Sequence, residues 1–251
     1  MLSMNRNECV IIVNGETLLL EPSGAVWWPD EKTLVLADLH FEKGSSYARS
    51  GQFLPPYDTR ATLKRIGALI ARLRPERVIA LGDSFHDGGA GDRLDGEEIA
   101  VLSGLTRAVH WVWVEGNHDP EPPAWLGGTI RPFYQARGLM FRHIPCTEPC
   151  AGEVAGHVHP VVRVNRNGLS LRRRCFASDG LRLLLPAFGA YTGGFDVREE
   201  AVTSLFAREM AVFAMGRERV YAVRGPCHTL LRNRNMDAQP SATAISTVNT
   251  P

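Results

Sequence analysis

The stretch Val78-Ile79-Ala80-Leu81-Gly82-Asp83-Ser84-Phe85-His86-Asp87 decides how this sequence is read. Its four consecutive apolar residues are the pattern of a strand buried on both faces. Directly after them come a glycine, a carboxylate and an imidazole, groups that a buried strand does not need for packing. The same order recurs along the chain. Leu34–Ala37 runs into Asp38-Leu39-His40, Trp111–Val114 into Glu115-Gly116-Asn117-His118-Asp119, Leu139–Arg142 into His143, and Glu153–Ala155 into Gly156-His157-Val158-His159. Four of these five clusters clearly follow a strand. Ligands gather outside the carboxyl ends of strands in α/β folds, so clusters distant in sequence can converge in space. Each cluster alone has an ordinary explanation: a common dipeptide pattern, a capped turn, a loop, a satisfied histidine. Gly-His-x-His is more specific, because alternate residues of an extended strand share a face. The order of all five carries the argument.

The donors are chemically coherent. Asp38, His40, Asp83, Asn117, His143, His157 and His159 offer carboxylate, imidazole and amide groups and no thiolate. Such a set suits borderline divalent ions such as Mn, Fe or Zn. Two ions about 3.5–4 Å apart clamp the attacking and leaving oxygens of an in-line displacement at phosphorus. A carboxylate shared by both ions must be single and central, and Asp83 is the candidate.

Working outward, Cys9–Val13 and Thr17–Leu20 read as strands around the hairpin signal Asn14-Gly15, and Ala25–Trp28 and Thr33–Ala37 continue the sheet. Phe41–Pro56, with two glycines and two prolines, reads as a loop. Asp58 is placed to cap a helix carrying Leu63, Ile66, Ile70 and Leu73 and stopped by Pro75. A second helix is expected over Glu97–Leu105. Prolines and glycines from Pro120 to Gly128 mark a loop. Short β runs then recur at Val161–Val164, Leu169–Arg173 and Leu181–Leu185, followed by a helix over Arg198–Phe206 and strands near Val220–Val223 and Thr229–Leu231. Residues 1–232 read as one domain and 233–251, without aromatics and rich in Asn, Ser, Thr, Ala and Pro, as a disordered tail.

At 251 residues and 44% apolar, folding buries roughly 70–75% of the unfolded chain's surface, so the core needs no staples. Twenty-eight Lys and Arg against 27 Asp and Glu leave a net charge of +1, which argues against coating nucleic acid by bulk charge. Five scattered cysteines do not form a secreted disulfide framework. No apolar run approaches a membrane span or a signal peptide, so a cytoplasmic location is expected.

The five clusters together resemble the calcineurin-like metallophosphoesterase superfamily, whose pattern is Asp-x-His, Gly-Asp, Gly-Asn-His-(Asp/Glu), His and Gly-His-x-His. The resemblance implies an α/β fold, a metallophosphoesterase sandwich of two β-sheets flanked by helices (α/β/β/α). It implies one metal held by Asp38, His40 and His159 and a second by Asn117, His143 and His157, with Asp83 bridging. His118 takes the place of the superfamily's catalytic histidine, which meets the substrate phosphate and protonates the leaving group. Where the phosphoprotein phosphatases of the superfamily have Asp followed by Arg, His86 and Asp87 stand here, as in its double-strand-break repair nucleases. His86 is therefore a second catalytic candidate, contacting a phosphate or the leaving group, or else orienting His118 or a ligand.

Leu36-Ala37-Asp38-Leu39-His40-Phe41-Glu42-Lys43-Gly44, Gly82–Asp87, Gly156-His157-Val158-His159-Pro160 and Pro186–Gly194 look like the bacterial ligase-associated DNA-damage-response metallophosphoesterases. This likeness covers Cys9 to Arg224. It implies a manganese-dependent phosphodiesterase cutting single-stranded DNA, functionally associated with a DNA ligase, a helicase and another nuclease. The nucleophile expected is a hydroxide bridging the two ions. A small-molecule phosphoesterase using the same site is the alternative, and a protein-binding scaffold with an eroded metal site is a third. Independent signals for DNA are five arginines (Arg163, Arg166, Arg172, Arg173, Arg174) in an acid-free stretch, and Trp27, Trp28, Phe41 and Tyr47 as stacking aromatics. The ordinary readings are a solvated sheet edge and core packing.

Overall fold

A computed structural model describes residues 9–119, 123–148, 150–166, 168–224 and 229–230, and in it the apolar runs form two sheets packed face to face. The first holds β1 (Cys9–Val13), β2 (Glu16–Leu20), β3 (Val26–Trp28), β4 (Thr33–Ala37), β5 (Arg77–Leu81), β6 (His110–Val114) and β7 (Thr129–Arg131), neighbours in that order. β1 to β4 pair antiparallel, starting at Asn14-Gly15, whose positive φ angles of 48° and 86° suit a two-residue hairpin. β4 to β7 pair parallel, which demands long crossovers. α1 (Lys43–Arg49) and α2 (Asp58–Leu73) lie between β4 and β5, and α3 (Gly96–Ala108) between β5 and β6. α3 starts with a capping box, the Glu98 N–H donating to Asp95 and the Asp95 N–H to Glu98.

The second sheet holds β8 (Tyr134–Ala136), β9 (Leu139–Arg142), β10 (Glu153–Ala155), β11 (Val161–Arg166), β12 (Leu169–Ser178) and β13 (Leu183–Leu184). After α4 (Glu200–Thr203) it continues with β14 (Ala211–Met215), β15 (Val220–Arg224) and β16 (Thr229–Leu230). Side-chain alternation sets the layers. Val78 and Ala80 of β5 pack with Leu63, Ile66 and Leu69 of α2, whereas Ile79 and Leu81 face Phe141, Val154 and Phe176 of the other sheet. Beyond that sheet, Cys175, Ala177 and Val212 pack with Val202 and Leu205. The result is the expected helix/sheet/sheet/helix sandwich, and this double coverage explains why β4, β5 and β6 are apolar at every central position. Among the described residues no helix is long and apolar enough to cross a membrane.

Several boundaries differ from those expected. Lys43–Arg49 is helical inside the segment read as a loop. Local propensity does not make this helix; two side-chain contacts pin its start. The Gly44 N–H donates to Asp58 Oδ2 (2.9 Å) and the Glu42 N–H to Thr59 Oγ1 (2.8 Å). Asp58 is thus spent on Gly44 and does not cap α2, whose N-cap is Tyr57. The helix expected over Arg198–Phe206 contracts to Glu200–Thr203, and Leu181–Leu185 contracts to Leu183–Leu184 because Leu181 and Arg182 N–H groups turn onto Asp179 Oδ1. β7, β8 and β14 were not expected; β7 and β8 are three residues each, β7 mostly exposed and β8 half-buried at Tyr134 and Ala136, too short for a readable alternation. Trp28 and Phe41 are fully buried core residues, and Trp27 packs partly buried against the helical layer. The tail expected over 233–251, Pro120 and Leu231 lie outside the described residues.

Candidate active site

The parallel register aligns Ala37, Leu81 and Val114 at the carboxyl ends of β4, β5 and β6. Arg142 and Ala155 are likewise aligned at the ends of β9 and β10. Asp38, Asp83 and Asn117 therefore leave the first sheet at the same level, and His143 and His157 leave the second. Two donor sets result. Asp38, His40 and His159 bring one ligand atom each within 4.8 Å of one another, and so do Asp83, His143 and His157. Asp83 stands between them: its Oδ1 is 3.3 Å from His143 Nε2 and its Oδ2 is 3.9 Å from His40 Nε2. Asp38 Oδ1 is 3.1 Å from His159 Nε2.

The chain must turn sharply to achieve this. Eleven described non-glycine residues have positive φ, and five are candidate donors: Asp38 (53°), His40 (45°), Asp83 (44°), His157 (69°) and His159 (45°). A left-handed backbone at such residues costs of order 1–3 kcal/mol each and concentrates at functional sites. The motif glycines answer a different demand, close approach. A Cβ on Gly82 would sit 2.4 Å from His143 Cγ, and one on Gly116 2.1 Å from the Asp83 nitrogen.

Hydrogen bonds fix the imidazole tautomers. A carbonyl only accepts, so His143 Nδ1 donates to Leu81 O (3.0 Å), which turns its Nε2 toward Asp83. That Nε2 lies 2.9 Å from Asn117 Oδ1 and 3.2 Å from His157 Nδ1 as well as close to Asp83. By the same reasoning His118 Nδ1 donates to His86 O (2.9 Å), leaving Nε2 free to face the site, 3.9 Å from Asp83 Oδ2. His86 stacks on His118 with centroids 5.4 Å apart and meets the His40 ring edge-on at 5.4 Å.

Electrostatics follow from burial and neighbours. Burial drives His40 down to about 3 and His86, with help from the Lys43 charge, down to about 4. Both rings are neutral at neutral pH. Burial opposes ionisation of Asp83, yet the hydrogen bond and charge of His143 and the His118 N–H hold it well below the carboxylate range. Burial also opposes charge on His143, but Asp83 and Asp38 raise its proton affinity. A site that draws a proton this way draws a cation.

Two neighbouring residues were quoted in the sequence without a role. Asp119 is buried, and its Oδ2 accepts the N–H groups of Ser84 (2.8 Å) and Phe85 (2.9 Å), clamping the turn after Asp83; burial pushes its carboxyl up to about 7. Asp87 is held by both terminal nitrogens of Arg93 at 2.8 Å, and Arg93 also reaches Ser45 of α1. Tyr47, expected as a stacking aromatic, lies 5.9 Å from His86.

A family model of calcineurin-like phosphoesterases matches residues 31–165, more than half of the chain. The chain belongs to the calcineurin-like phosphoesterase family. It is a hydrolase acting on phosphate esters. Among solved structures it resembles a Pseudomonas putida nuclease MPE, with 30% identity and a TM-score of 0.66 over 86% of this chain and 100% of that one. It also aligns with Yfce, a phosphoesterase from E. coli, at 14% identity and a TM-score of 0.37, over 80% of this chain and 96% of that one. No curated protein matches it.

A calcineurin-like phosphoesterase uses a binuclear metal site, and the residues present fit one. Both ring nitrogens of His40 and Nε2 of His159 are buried without a hydrogen-bond partner among the described residues. Buried polar atoms are normally satisfied, and each of these two histidines contributes one ring nitrogen to the set it forms with Asp38. Around His143 Nε2, a cation satisfies four converging acceptors at once, which a single proton does not.

Proposed function

We propose that this calcineurin-like phosphoesterase is a metal-dependent phosphodiesterase that hydrolyses DNA, as a single-strand endonuclease in cytoplasmic DNA repair. The convergence of two donor sets on Asp83 beside His118 Nε2 carries the phosphoester chemistry. The 30% identity to a nuclease supports the nucleic-acid substrate. The proposed ligands are Asp38, His40 and His159 for one cation and Asn117, His143 and His157 for the other, with Asp83 shared. The oxygen- and nitrogen-donor set suits manganese. A DNA ligase, a helicase and a further nuclease are the proposed functional associates.

Two bound divalent cations supply Lewis-acid charge at the phosphoryl oxygens and lower the pKa of an attacking water. The chain supplies the rest. Asp83, held ionised, keeps the two donor sets in register. Asp119 fixes the Asp83 turn through the Ser84 and Phe85 N–H groups. His118, its Nδ1–H committed to His86 O, keeps Nε2 for the departing oxygen. His86 orients His118 through that carbonyl and the stacked ring.

Hydrolysis of an aryl phosphomonoester, an aryl phosphodiester and single-stranded DNA is compared with Mn. DNA cleavage that disappears in Asp83→Asn supports the reading; turnover of the monoester alone overturns it in favour of a small-molecule phosphatase. His118→Ala is expected to slow DNA by about 10²–10⁴-fold and an activated aryl diester much less. Equal losses on both exclude the acid role.

A further inference from the structure

Three cations gather beside the centre, and among the described residues none of them forms an ion pair with a carboxylate. Lys43 opens α1 and is only 8% exposed. Among the described residues its ammonium makes no hydrogen bond or ion pair, and its one close partner is the Tyr47 ring, 5.8 Å from the centroid. Tyr47 lies 5.9 Å from His86, and His86 5.4 Å from His40, so the ammonium stands just outside the ring wall of the centre. It feels the carboxylates of Asp83, Asp58 and Asp38, and its charge in turn depresses His86.

The other two cations are Arg174, whose charge acts on Lys43, and Arg65, on which Arg174 acts in turn. Arg174 Nη1 donates to Ala187 O (2.9 Å), and Arg65 donates to Phe188 O while lying 4.3 Å over the Phe188 ring. That segment is tied to the site, because the Phe188 N–H donates to Ala37 O (2.7 Å) and the Gly189 N–H to Asp38 O (3.0 Å). The arginines thus have a positioning task, pinning the segment beside Asp38. Lys43 has none. Burial works against its charge in spite of those carboxylates, and an anion delivered to the ammonium offsets that cost.

The β11–β12 register continues the row, pairing Arg163 with Arg172 and Val161 with Arg174 so that all three arginines share one face. Arg172 donates to Gly194 O (2.6 Å) and Arg163 is exposed.

We infer that Lys43, backed by Arg174, is a substrate-binding residue that takes the phosphate next to the scissile one along a nucleic-acid strand, on the His86 side of the centre. The assignment rests on the phosphodiesterase reading above. It gives a task to an ammonium that stands, without hydrogen bond or ion pair, beside a centre that already collects cations.

The test uses the full chain with its metals and a labelled phosphorothioate oligothymidylate, which keeps the backbone charge and resists hydrolysis. Lys43→Met keeps the apolar stem and removes the charge; Lys43→Arg keeps the charge. Expected are about tenfold weaker binding by Lys43→Met, recovery in Lys43→Arg, and a log affinity against log salt slope reduced by about 0.7. In turnover, Lys43→Met raises KM for the oligonucleotide more than for an aryl diester, which has no second phosphate. Wild-type-like binding by Lys43→Met at matched thermal stability overturns the inference and leaves the hydrolysis reading intact. Equal losses for Met and Arg variants, or equal losses on both substrates, also overturn it. If the wild-type chain binds the strand in this Lys43-dependent way yet does not cut DNA, the endonuclease reading fails and the inference stands.

Discussion

Asp38, His40, Asp83, His157 and His159 hold backbone angles that these residue types adopt at a cost, and they do so next to orphaned imidazole nitrogens. Strain and unmet polarity at the same residues mean that the cation-free site is poorly arranged for its own stability. His159, 16% exposed at its side chain, is the mildest place to relieve it. Without metal, His159→Gly is expected to melt at or above the wild-type temperature, with relief of about 1 kcal/mol. With Mn, the wild type gains far more thermal stability than the variant. A metal-free variant melting well below wild type shows that the left-handed turn is not strained. All seven proposed donors were readable in the sequence, because each stands within a few residues of a strand end that fixes its place. Lys43 and Asp119 were not readable as site residues, and Arg174 was readable only as one of five arginines in an acid-free stretch. Their tasks depend on partners far away in the chain, such as Ser84 for Asp119 and Ala187 for Arg174.

Between elements, side-chain ties do what local propensity does not. Arg93 binds Asp87, Ser45 Oγ and Glu42 O, joining the turn after β5 to α1. The Arg93 hydrogen bonds, opposed by partial burial, lower the Asp87 carboxyl from 3.8 to about 2. A depressed folded-state pKa contributes stability above the unfolded value and loses it as pH falls to the folded one. Arg93→Gln is therefore expected to cost stability at neutral pH but to match wild type below about pH 2, the gap closing between 3.8 and about 2. A pH-independent gap in chemical denaturation would assign the loss to packing instead. The loop after His143 depends on a buried pair. Arg182 Nε is 2.5 Å from Glu153 Oε2, and Arg182 also donates to Cys146 O and Glu148 O; the two residues are 1% and 0% exposed. Removing one charge strands the other, so Glu153→Gln is expected to cost about 3–5 kcal/mol in urea unfolding. A loss under 1 kcal/mol refutes the pairing. None of this was legible in the sequence, and neither was α1. Its seven residues, Gly44 among them, form a helix only because Asp58 and Thr59 hold its start.

Over the whole molecule, the layer order was legible because β4, β5 and β6 are apolar at every central position and so demand cover on both faces. The weak spots were edges: β7 and β8 are partly wet and carry little pattern. The site spans the two sheets, with Asp38, His40, Asp83 and Asn117 from one and His143, His157 and His159 from the other. Chelation by EDTA is therefore expected to abolish hydrolysis and also to lower the melting temperature, since ligand that binds only the native state stabilises it. An unchanged melting temperature contradicts a cation shared between the sheets.

The order of the chain adds a last consequence. The first sheet ends with β7 at Arg131 and the second begins with β8 at Tyr134, so sequence order and spatial layer coincide. A cut at Pro132-Phe133 divides the polypeptide into two fragments, each with one entire sheet and neither with a complete donor set for either cation. The apolar faces of the two sheets then draw separately expressed halves together, and metal-dependent hydrolysis regained in trans becomes a reading of how well the divided donor sets are rejoined.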